Sequence, residues 1–388
     1  MRKHVVHIMG SVAVGGIEQL VLGLVRAINL NGYKHSVVCL KCNTGHLESA
    51  FKAAGVPVLA CPFHAPFEAL IPGYRPRKWF RRYTFPLRLA RLLEELKPGL
   101  VHAHNRGNID LQMQAIFANG PRPFVWTLHS IGFPSEDVCA KAASDIWGNG
   151  GAITADSEAV RRAFSARAHI PPERITTVYP GIDITGVISG GAPRGTLRKR
   201  WGIPSHALIF GCVGRLSQEK GYDLLIKAAS KYAIHHPDAH FVIAGDGPLR
   251  VALESDVQQA GLTGKFHLLG YHEDLPGFLR EIDVFALPSR REGFPLALIE
   301  ALAAGRPCIA ADVGGVAEML GSDGGILVPA EDVDALVAAM ERMTDSALRA
   351  SFSRRAPDIA RAFSLKACAE HFLTIYERVL STPRRGGA

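Results

Sequence analysis

The sequence predicts an α/β protein with two doubly wound, Rossmann-like parallel-sheet domains that face each other across a deep cleft. The chain has 388 residues, more than one hydrophobic core usually supports. Short apolar runs alternate with helical patterns along the whole chain, as in parallel sheets joined by crossover helices. A glycine-rich stretch without periodicity interrupts them at residues 186–204, which we predict to be a linker.

Thirteen apolar runs have the length of strands. The first domain, residues 1–185, contains those at 4–9, 35–40, 56–61, 100–104, 124–129, 152–157 and 175–180. The second domain, residues 205–363, contains those at 207–215, 240–247, 266–271, 284–289, 307–312 and 325–330. A last helix is expected within residues 364–388. Open α/β sheets bind ligands beyond the carboxyl ends of their strands, so the loops there should line the cleft.

The composition favours a soluble cytoplasmic protein. Hydrophobic residues make up 47% and charged residues 21% of the chain, which argues against disorder. No run approaches the roughly 18 apolar residues of a spanning helix, and the N-terminal run is too short for a signal peptide. Seven scattered cysteines suggest reduced thiols. The single C-x-x-C, Cys39 and Cys42, ends an apolar strand and is interpreted as core cysteines.

Positive charge is concentrated in the first half. Residues 1–180 contain 21 Lys and Arg against 12 Asp and Glu, whereas the remainder contains 23 against 24. Near residues 75–91 cations alternate with aromatic rings, in Arg75, Arg77, Lys78, Trp79, Arg81 and Arg82. Such a segment suits an anionic membrane surface, and a solvated helix with its leucines facing the core explains it equally well. No recognition motif accompanies it, so nucleic acid is not an expected partner.

The loop GRLSQEKGYDLL, after the first strand of the second domain, has the features of a phosphate site. Arg215 and Lys220 lie five residues apart, and Gly221 precedes a helix expected to start near Tyr222. Two cations at a helix N-terminus suit a diphosphate. A solvated surface pair is the alternative, which fits poorly because both cations flank a glycine at the expected edge of the cleft.

The glycine-rich loop after the first strand, GSVAVGG, matches neither the dinucleotide fingerprint nor a Walker loop. This argues against an oxidoreductase and a P-loop NTPase. Gly15 and Gly16 would allow backbone amides to approach an anion, or would simply form a structural turn.

The segment REGFPLALIEALAAG places Glu292 before a helix expected to start at about Pro295, and Glu300 inside it. Carboxylates repel phosphate but accept hydrogen bonds from hydroxyls. A nucleotide sugar offers hydroxyls on both sides of its diphosphate, so one glutamate would bind the sugar and the other the ribose. The alternative makes Glu292 a helix-dipole partner and Glu300 a surface residue, although the neighbours of Glu300 are apolar.

Two further patterns bear on metal binding. His102 and His104 alternate along a strand, and we expect them to point to opposite faces and not to share a metal ion. His104, at the strand end, is expected near the cleft. Asp332 and Asp334 form a D-x-D directly before a helix, where N-capping explains them better than a metal. No metal site is expected.

These motifs resemble a known family. EGFPLALIEALAAGRPCIA, preceded by GRLSQEKG and followed by GGVAE, is similar to the retaining glycosyltransferases of the GT-B group called family 4. GGIE, VHAHN, TLHS, ADSEAVRR and VYPGID follow in the order of that family. The resemblance implies a GT-B fold, a nucleotide-diphosphate sugar as co-substrate held mainly by the second domain, and no required metal or cofactor. It also implies an acceptor on the first domain, a last helix that returns to that domain, and a structural or hinge role for Asp183.

The resemblance also implies roles for matching positions. Glu292 would contact the donor sugar, Glu300 the ribose, and Arg215 with Lys220 the diphosphate, where negative charge grows as the glycosidic bond breaks. His129 would lie beside the reacting sugar, with a plain core histidine as the alternative. Further donor contacts would come from Gly15, Gly16, Gly293, Phe294, Pro295 and Leu296, and acceptor or cleft contacts from His104 and Asn105.

We therefore expect a retaining hexosyltransferase that moves a sugar to a glycan or lipid-linked acceptor, in exopolysaccharide, lipopolysaccharide or capsule biosynthesis. It would be cytoplasmic, either free or peripheral on the inner face of the membrane. The alternatives are a nucleotide-sugar epimerase of the same architecture and a non-catalytic nucleotide-sugar-binding protein. An epimerase needs an acid–base pair at the sugar and no acceptor surface.

Overall fold

The computed structural model describes residues 3–13, 15–29, 32–41, 45–63, 78–104 and 107–383. Within residues 78–83 it describes the backbone but not the side chains. The chain divides into two compact units. The first comprises Met1–Tyr179 together with Leu365–Ala388, and the second comprises Pro180–Ser364.

The first unit is built on a seven-stranded parallel sheet with the order β3-β2-β1-β4-β5-β6-β7. Each predicted run of this domain coincides with a strand. The strands are β1 (Lys3–Met9), β2 (Tyr33–Cys39), β3 (Val58–Ala60), β4 (Leu100–Ala103), β5 (Phe124–Leu128), β6 (Ala152–Ala155) and β7 (Ile175–Thr177).

Helices cover both faces of this sheet, so β4, β5 and β6 are buried along their full length. The helices are α1 (Gly16–Asn29), α2 (Glu48–Ala53), α3 (Lys78–Leu96), α4 (Ile109–Ile116), α5 (Glu136–Gly148), α6 (Glu158–Ala168) and α16 (Leu365–Ser381). The C-terminal helix α16 packs on α1, where a Cβ at Gly23 would come within 2.9 Å of Leu365.

The second unit contains a six-stranded parallel sheet with the order β10-β9-β8-β11-β12-β13. All six predicted strands of this domain are confirmed. They are β8 (Ile209–Val213), β9 (His240–Ala244), β10 (Phe266–Gly270), β11 (Val284–Leu287), β12 (Cys308–Ala311) and β13 (Gly325–Val328).

Nine helices belong to the described part of the second unit. They are α7 (Ile184–Ser189), α8 (Thr196–Arg200), α9 (Tyr222–Tyr232), α10 (Arg250–Gln259), α11 (Leu275–Glu281), α12 (Leu296–Ala303), α13 (Val316–Leu320), α14 (Val333–Arg342) and α15 (Ser346–Arg361). In each sheet the strand order reverses next to its first strand, beside β4 in the first and beside β11 in the second. Loops at such a switch point diverge and leave room for a ligand.

Residues 186–204 differ from the prediction of an irregular linker. They contain most of α7 and all of α8, and they belong to the second unit. Two buried or half-buried guanidinium groups hold them there. Arg280 donates to the carbonyls of Gly190 and Ala192, and Arg198 donates to the carbonyl of Glu281. The helices are short and attached through backbone carbonyls, so they leave no apolar periodicity in the sequence.

The basic segment lies partly outside the described residues, which exclude Arg75 and Arg77 and the side chains of Lys78, Trp79, Arg81 and Arg82. Farther along α3, Phe85, Leu89 and Leu93 are buried, whereas Leu87 is 71% exposed. Among the helices that the structure describes, none combines the length and apolar character needed to cross a bilayer.

The six described cysteines are buried and form no disulfides with one another. Burial raises the pKa of Cys39 to about 12, so its thiol stays protonated, as expected of a core cysteine. Its predicted C-x-x-C partner, Cys42, lies outside the described residues.

Candidate active site

The loop between β8 and α9 presents two cations at the carboxyl end of the central strand. Arg215 follows β8 and is exposed, and Lys220 ends a short 3-10 helix over Gln218–Lys220. Gly221 then starts α9 with a φ of +65°, in agreement with the predicted helix start. A Cβ at Gly221 would lie 2.1 Å from the carbonyl oxygen of Pro288, so only glycine lets this loop touch the loop after β11.

That contact brings Lys220 to Glu292. The Lys220 Nζ donates to Glu292 Oε1 over 2.8 Å, and the Ser289 hydroxyl donates to the same oxygen over 2.6 Å. The Glu292 side chain is only 8% exposed and that of Lys220 22%. The structure thus unites two predicted site residues in one ion pair, with Ser289 as a third member that sequence reasoning missed.

Arg290, which was not among the predicted site residues, joins the two loops through hydrogen bonds. Its guanidinium makes two hydrogen bonds of 2.7 Å with the carboxylate of Asp223 on α9, and its amide donates to the carbonyl of Glu219. These hydrogen bonds hold the pKa of Asp223 below its usual value. The charged run SRREG was the available signal, but its partner lies 67 residues away in the sequence.

Two neighbouring loops pack against the two loops that carry Lys220 and Glu292. The amide of Gly315, after β12, donates to the carbonyl of Gly293 over 2.8 Å. After β9, a Cβ at Gly245 would come within 1.8 Å of the carbonyl oxygen of Gly214. The AGDGP segment, residues 244–248, therefore packs directly against the loop between β8 and α9 that carries Arg215 and Lys220. The two glycines around Asp246 are the sequence feature that permits this contact. They lie at the end of the run 240–247, which was predicted only as a strand.

Helix α12 carries the second glutamate. The helix starts at Leu296 with Pro295 as its N-cap, next to the predicted start. Glu300 lies in its second turn, half-buried among buried neighbours such as Ile299 and Ala301. Burial raises the pKa of Glu300 to about 8. Within the part of the chain that the structure describes, its carboxyl group has no hydrogen-bond or ion-pair partner, so its oxygens can accept hydrogen bonds from a ligand's hydroxyls.

Arg215 and Lys220 both act on Glu219, the residue that precedes Lys220. Burial would raise the pKa of Glu219, but hydrogen bonds and the nearby cations Arg215 and Lys220 lower it below its usual value. The predicted diphosphate ligands Arg215 and Lys220 therefore act on the same short loop. Gly293, Phe294, Pro295 and Leu296 join Glu292 to α12 in the same region.

The remaining predicted site residues belong to the first unit. Gly15 and Gly16 lie at the start of α1, where Gly15 accepts the first helical bond from Gln19. A Cβ at Gly15 would come within 2.5 Å of a Glu18 carboxylate oxygen. His104 and His129 follow β4 and β5, and Asn105 lies outside the described residues.

His104 and His129 belong to a row of hydrogen-bonded rings that we call the histidine chain: His35, His7, His104 and His129. His35 Nδ1 lies 3.0 Å from His7 Nε2, His7 Nδ1 lies 3.0 Å from His104 Nε2, and His104 Nδ1 lies 3.2 Å from His129 Nε2. Burial lowers the pKa of His129 to about 3 and that of His35 to about 4. The rings are therefore neutral at physiological pH.

The prediction that His102 and His104 point to opposite faces is wrong. Their ring centroids are 3.8 Å apart, because side chains two residues apart on a strand return to the same face. Ligand nitrogens of His7, His102 and His104 lie within 4.8 Å of one another, close enough to hold a metal ion. A metal would have to replace the His7–His104 bond and one of the two bonds of His102, to Tyr376 Oη or to Thr127 Oγ1, each 2.6 Å long.

Two of the three aspartates that the sequence singled out cap helices, and the third, Asp334, lies in the first turn of α14. Asp332 accepts a hydrogen bond from the amide of Ala335 at the start of α14, which confirms the N-cap interpretation. Asp334 pairs with Lys231 at the surface. Asp183 caps α7 through the amide of Gly186. These contacts explain the D-x-D pattern and the PGID segment structurally.

Comparison with known proteins gives the family context of this site. Residues 14–185 match the family described as Glycosyltransferase Family 4, and residues 193–358 match Glycosyl transferases group 1. The chain is 29% identical over 269 residues to the UDP-Gal:alpha-D-GlcNAc-diphosphoundecaprenol alpha-1,3-galactosyltransferase of Escherichia coli, which covers 66% of this chain and 69% of that protein. It is 30% identical over 288 residues to a D-inositol 3-phosphate glycosyltransferase of Corynebacterium kroppenstedtii, covering 71% of this chain. The match spans 61% of that relative's length.

Solved structures share the fold. The structure of Anabaena Alr3699/HepE in complex with UDP and glucose superposes with a TM-score of 0.81 at 20% identity, over 95% of this chain and 98% of that one. WaaG, described as a glycosyltransferase involved in lipopolysaccharide biosynthesis, has a TM-score of 0.75 at 17% identity, over 96% and 99%. Both units therefore have the architecture of the GT-B fold.

Proposed function

The chain belongs to the group 1 glycosyltransferases, and from this membership we propose that it transfers a hexose with retention from a nucleotide-diphosphate sugar to a glycan or lipid-linked acceptor. One observation carries the proposal: Lys220, Ser289 and Glu292 meet at the carboxyl ends of β8 and β11. A cation for phosphate and a carboxylate for hydroxyls are thereby joined in one site, which is the chemistry that a nucleotide sugar presents.

Each residue has a role that its contacts support. Arg215 and Lys220 would bind the diphosphate, whose negative charge grows as its bond to the anomeric carbon breaks. Glu292, fixed by Lys220 and Ser289, would accept hydrogen bonds from hydroxyls of the donor sugar. Glu300, whose carboxyl group has no partner among the described residues, would accept hydrogen bonds from the hydroxyls of the ribose.

Retention and metal independence are parts of the same proposal. The acceptor hydroxyl would attack from the side of the leaving group, and the departing diphosphate oxygen would take the hydroxyl proton as the new C–O bond forms. Arg215 and Lys220 supply two positive charges at the leaving group, so we assign no metal a role. Activity that survives chelation with EDTA is the expected result.

The relatives support a donor and an acceptor class. A nucleotide-sugar donor is supported by the HepE complex with UDP and glucose, and a lipid-linked acceptor by the name of the Escherichia coli relative. The lipopolysaccharide core mannosyltransferase LpsB of Rhizobium meliloti, 29% identical over 194 residues, supports a role in surface polysaccharide synthesis. We propose such a role, at the inner face of the membrane, where the positive excess of residues 1–180 would meet anionic lipid.

The test is a donor screen in which the purified protein is incubated with nucleotide sugars and undecaprenyl-diphosphate-linked or lipopolysaccharide-core acceptors. Release of nucleoside diphosphate with formation of an α-linked product from an α-linked donor is expected. Epimerised donor without nucleotide release would indicate the epimerase alternative. Binding without turnover of any donor would indicate a nucleotide-sugar-binding protein.

Flotation with anionic vesicles tests the membrane part separately. Binding that weakens as salt increases is expected, because charge attraction is screened. Failure to float with vesicles rich in anionic lipid would restrict the proposal to a freely cytoplasmic enzyme.

A further inference from the structure

The histidine chain has an internal polarity. Every link joins the Nδ1 of one ring to the Nε2 of the next, from His35 through His7 and His104 to His129. A neutral imidazole has one N–H donor and one acceptor nitrogen. The tautomer of any one ring therefore fixes the tautomers of the other three, and only two arrangements satisfy all the links.

The two ends of the chain decide between these arrangements. At one end, His35 Nε2 is buried and has no hydrogen-bond partner in the described structure. At the other end, His129 Nδ1 lies 3.9 Å from the carboxylate Oδ2 of Asp156. If every ring carried its proton on Nε2, a buried N–H would be left without an acceptor and a ring lone pair would face the carboxylate.

The opposite arrangement removes both faults. With every proton on Nδ1, the unpaired atom at His35 is an acceptor, and orphaned buried N–H donors are the rarer defect in proteins. His129 then points an N–H at the carboxylate of Asp156, which is electrostatically favourable. His35 is only 2% exposed, so bulk water does not supply the missing partner of its Nε2.

We propose that His104, supported by His7 and His35, is a positioning residue that holds His129 in the Nδ1–H tautomer, with that N–H directed at Asp156 and with no free ring nitrogen left to act as a base. Its Nε2 lone pair is engaged by His104 Nδ1 at 3.2 Å. The assignment of the tautomer depends on the first unit alone. The expected effect on sugar transfer rests on the proposed function.

The first experiment reads the tautomers directly. Full-length protein labelled with ¹⁵N-histidine is examined by long-range ¹H–¹⁵N correlation spectra, whose cross-peak pattern differs between the two tautomers. His129 is assigned from the His129→Gln variant. We expect at least four neutral Nδ1–H rings in the wild-type spectrum, His129 among them. His129 in the Nε2–H form would overturn the proposal, and the wild-type count tests the chain even if the variant does not fold.

The second experiment separates the two sides of His104. An Asn amide occupies the place of Nδ1 and a Gln amide the place of Nε2. His104→Asn therefore keeps the donor to His129, and His104→Gln keeps the contact with His7 instead. The Gln variant is expected to show mixed tautomers at His129 and about tenfold lower kcat than the Asn variant, with similar KM for the donor. Equal kcat and equal His129 spectra in the two variants would overturn the proposal.

A histidine pair of the second unit provides the matched control. His240 Nδ1 and His267 Nε2 also lie 3.2 Å apart, on β9 and β10. His267→Asn removes this bond, because an Asn amide does not reach the place of Nε2, and should change neither the kcat nor the spectrum of His129.

The outcomes distinguish this inference from the proposed function. An Nδ1–H tautomer at His129 in a protein that transfers no sugar would overturn the proposed function and keep the assignment of His104 as the group that fixes the tautomer. An Nε2–H tautomer in an active transferase would do the reverse. Metal analysis of the same sample should find no stoichiometric metal, and one zinc ion per chain with shifted His7, His102 and His104 signals would overturn the chain.

Discussion

Lys220 and Glu292 depend on each other for their place in the site. Both side chains are largely buried, and a buried charge is stable only when it is paired and hydrogen-bonded. The carboxylate of Glu292 satisfies Lys220, and Ser289 donates a second hydrogen bond to the same oxygen. The pair is therefore held in a fixed position, as a preorganised contact to a developing charge requires.

Replacing Lys220 with Ala should lower kcat/KM by about 100-fold, because the variant would lose the fixed cation that we propose for the leaving diphosphate. Steady-state kinetics with the donor found in the screen provide the measurement. Lys231→Ala is the matched control, since Lys231 lies at the other end of α9 and pairs with Asp334 at the surface. A loss below about threefold in the Lys220 variant would remove this residue from the diphosphate site.

Glu300 should make stability depend on pH. Its folded pKa of about 8 is above its unfolded value, so the folded protein keeps a proton that the unfolded chain releases above about pH 4.5. The contribution of Glu300 to wild-type stability is complete below that pH and is lost as the pH rises toward 8. Glu300→Gln stays neutral, so its Tm should exceed the wild-type Tm by a margin that grows by several °C between pH 5 and pH 8.

Thermal unfolding in a buffer series measures that margin. Glu273→Gln, which removes an exposed carboxylate of the same unit, controls for the change in net charge. A margin for Glu300→Gln that is constant across the series would contradict a raised pKa.

The β8–α9 connection shows how one turn unites two loops. Gly221 has a left-handed backbone, and its α-hydrogen faces the carbonyl of Pro288, where a Cβ would come within 2.1 Å. The helix starts there because glycine tolerates both the left-handed backbone and the close approach of the Pro288 carbonyl. The ion pair between Lys220 and Glu292 depends on this approach of the two loops.

Gly221→Ala should therefore cost more than a matched substitution at Gly261, which has a φ of +68° and open space around its α-carbon. Gly261→Ala introduces only the strain of an alanine in the left-handed conformation. This should lower the free energy of unfolding by about 1 kcal/mol and the Tm by roughly 2–4 °C. Gly221→Ala must also displace the loop after β11, so we expect a larger decrease in Tm together with loss of donor turnover. Equal Tm values and equal activities of the two variants would show that the loops do not need this contact.

The two units should respond to acid differently. The unperturbed pKa of histidine is about 6.5, and burial lowers the pKa values of His7, His102 and His104 well below it. As the pH falls below about 6.5, the unfolded first unit binds protons at these histidines and the folded unit does not. The stability of the first unit therefore decreases. In the second unit, the raised pKa of Glu300 has the opposite effect, because its contribution to stability increases as the pH falls.

Pulsed hydrogen exchange read by mass spectrometry follows each unit separately. After transfer from pH 7 to pH 5, peptides of β1, β4 and β5 should lose protection before those of β8 and β11. The reverse order would show that the neutral histidines do not limit acid stability.

The histidines show where sequence reasoning failed within an element. The strand of His102 and His104 was predicted correctly, but the orientation assigned to its side chains contradicted the two-residue period of a strand. Applying that period would have put both rings on one face. The bonds to His7 and His129 could not have been predicted, because they cross three neighbouring strands whose order is a tertiary property.

The sequence determined the parts of this protein that depend on local pattern. Alternating apolar runs predicted all thirteen strands, Gly221 and Pro295 marked two helix starts, and the glutamate-and-glycine motifs predicted the family. Local pattern suffices there because strand burial, turn geometry and capping depend on residues within a few positions of one another.

Only the tertiary structure decided which side chains meet. It paired Lys220 with Glu292 across 72 residues, clamped Asp223 with Arg290 and joined four histidines from separate strands. Such pairings depend on strand order and on the close approach of loops, which the printed sequence does not encode in any local spacing. The physical reason is that a buried charge is stable only when it is paired, and that the hydrogen-bond partner of a neutral imidazole sets its tautomer. Folding brings these partners together.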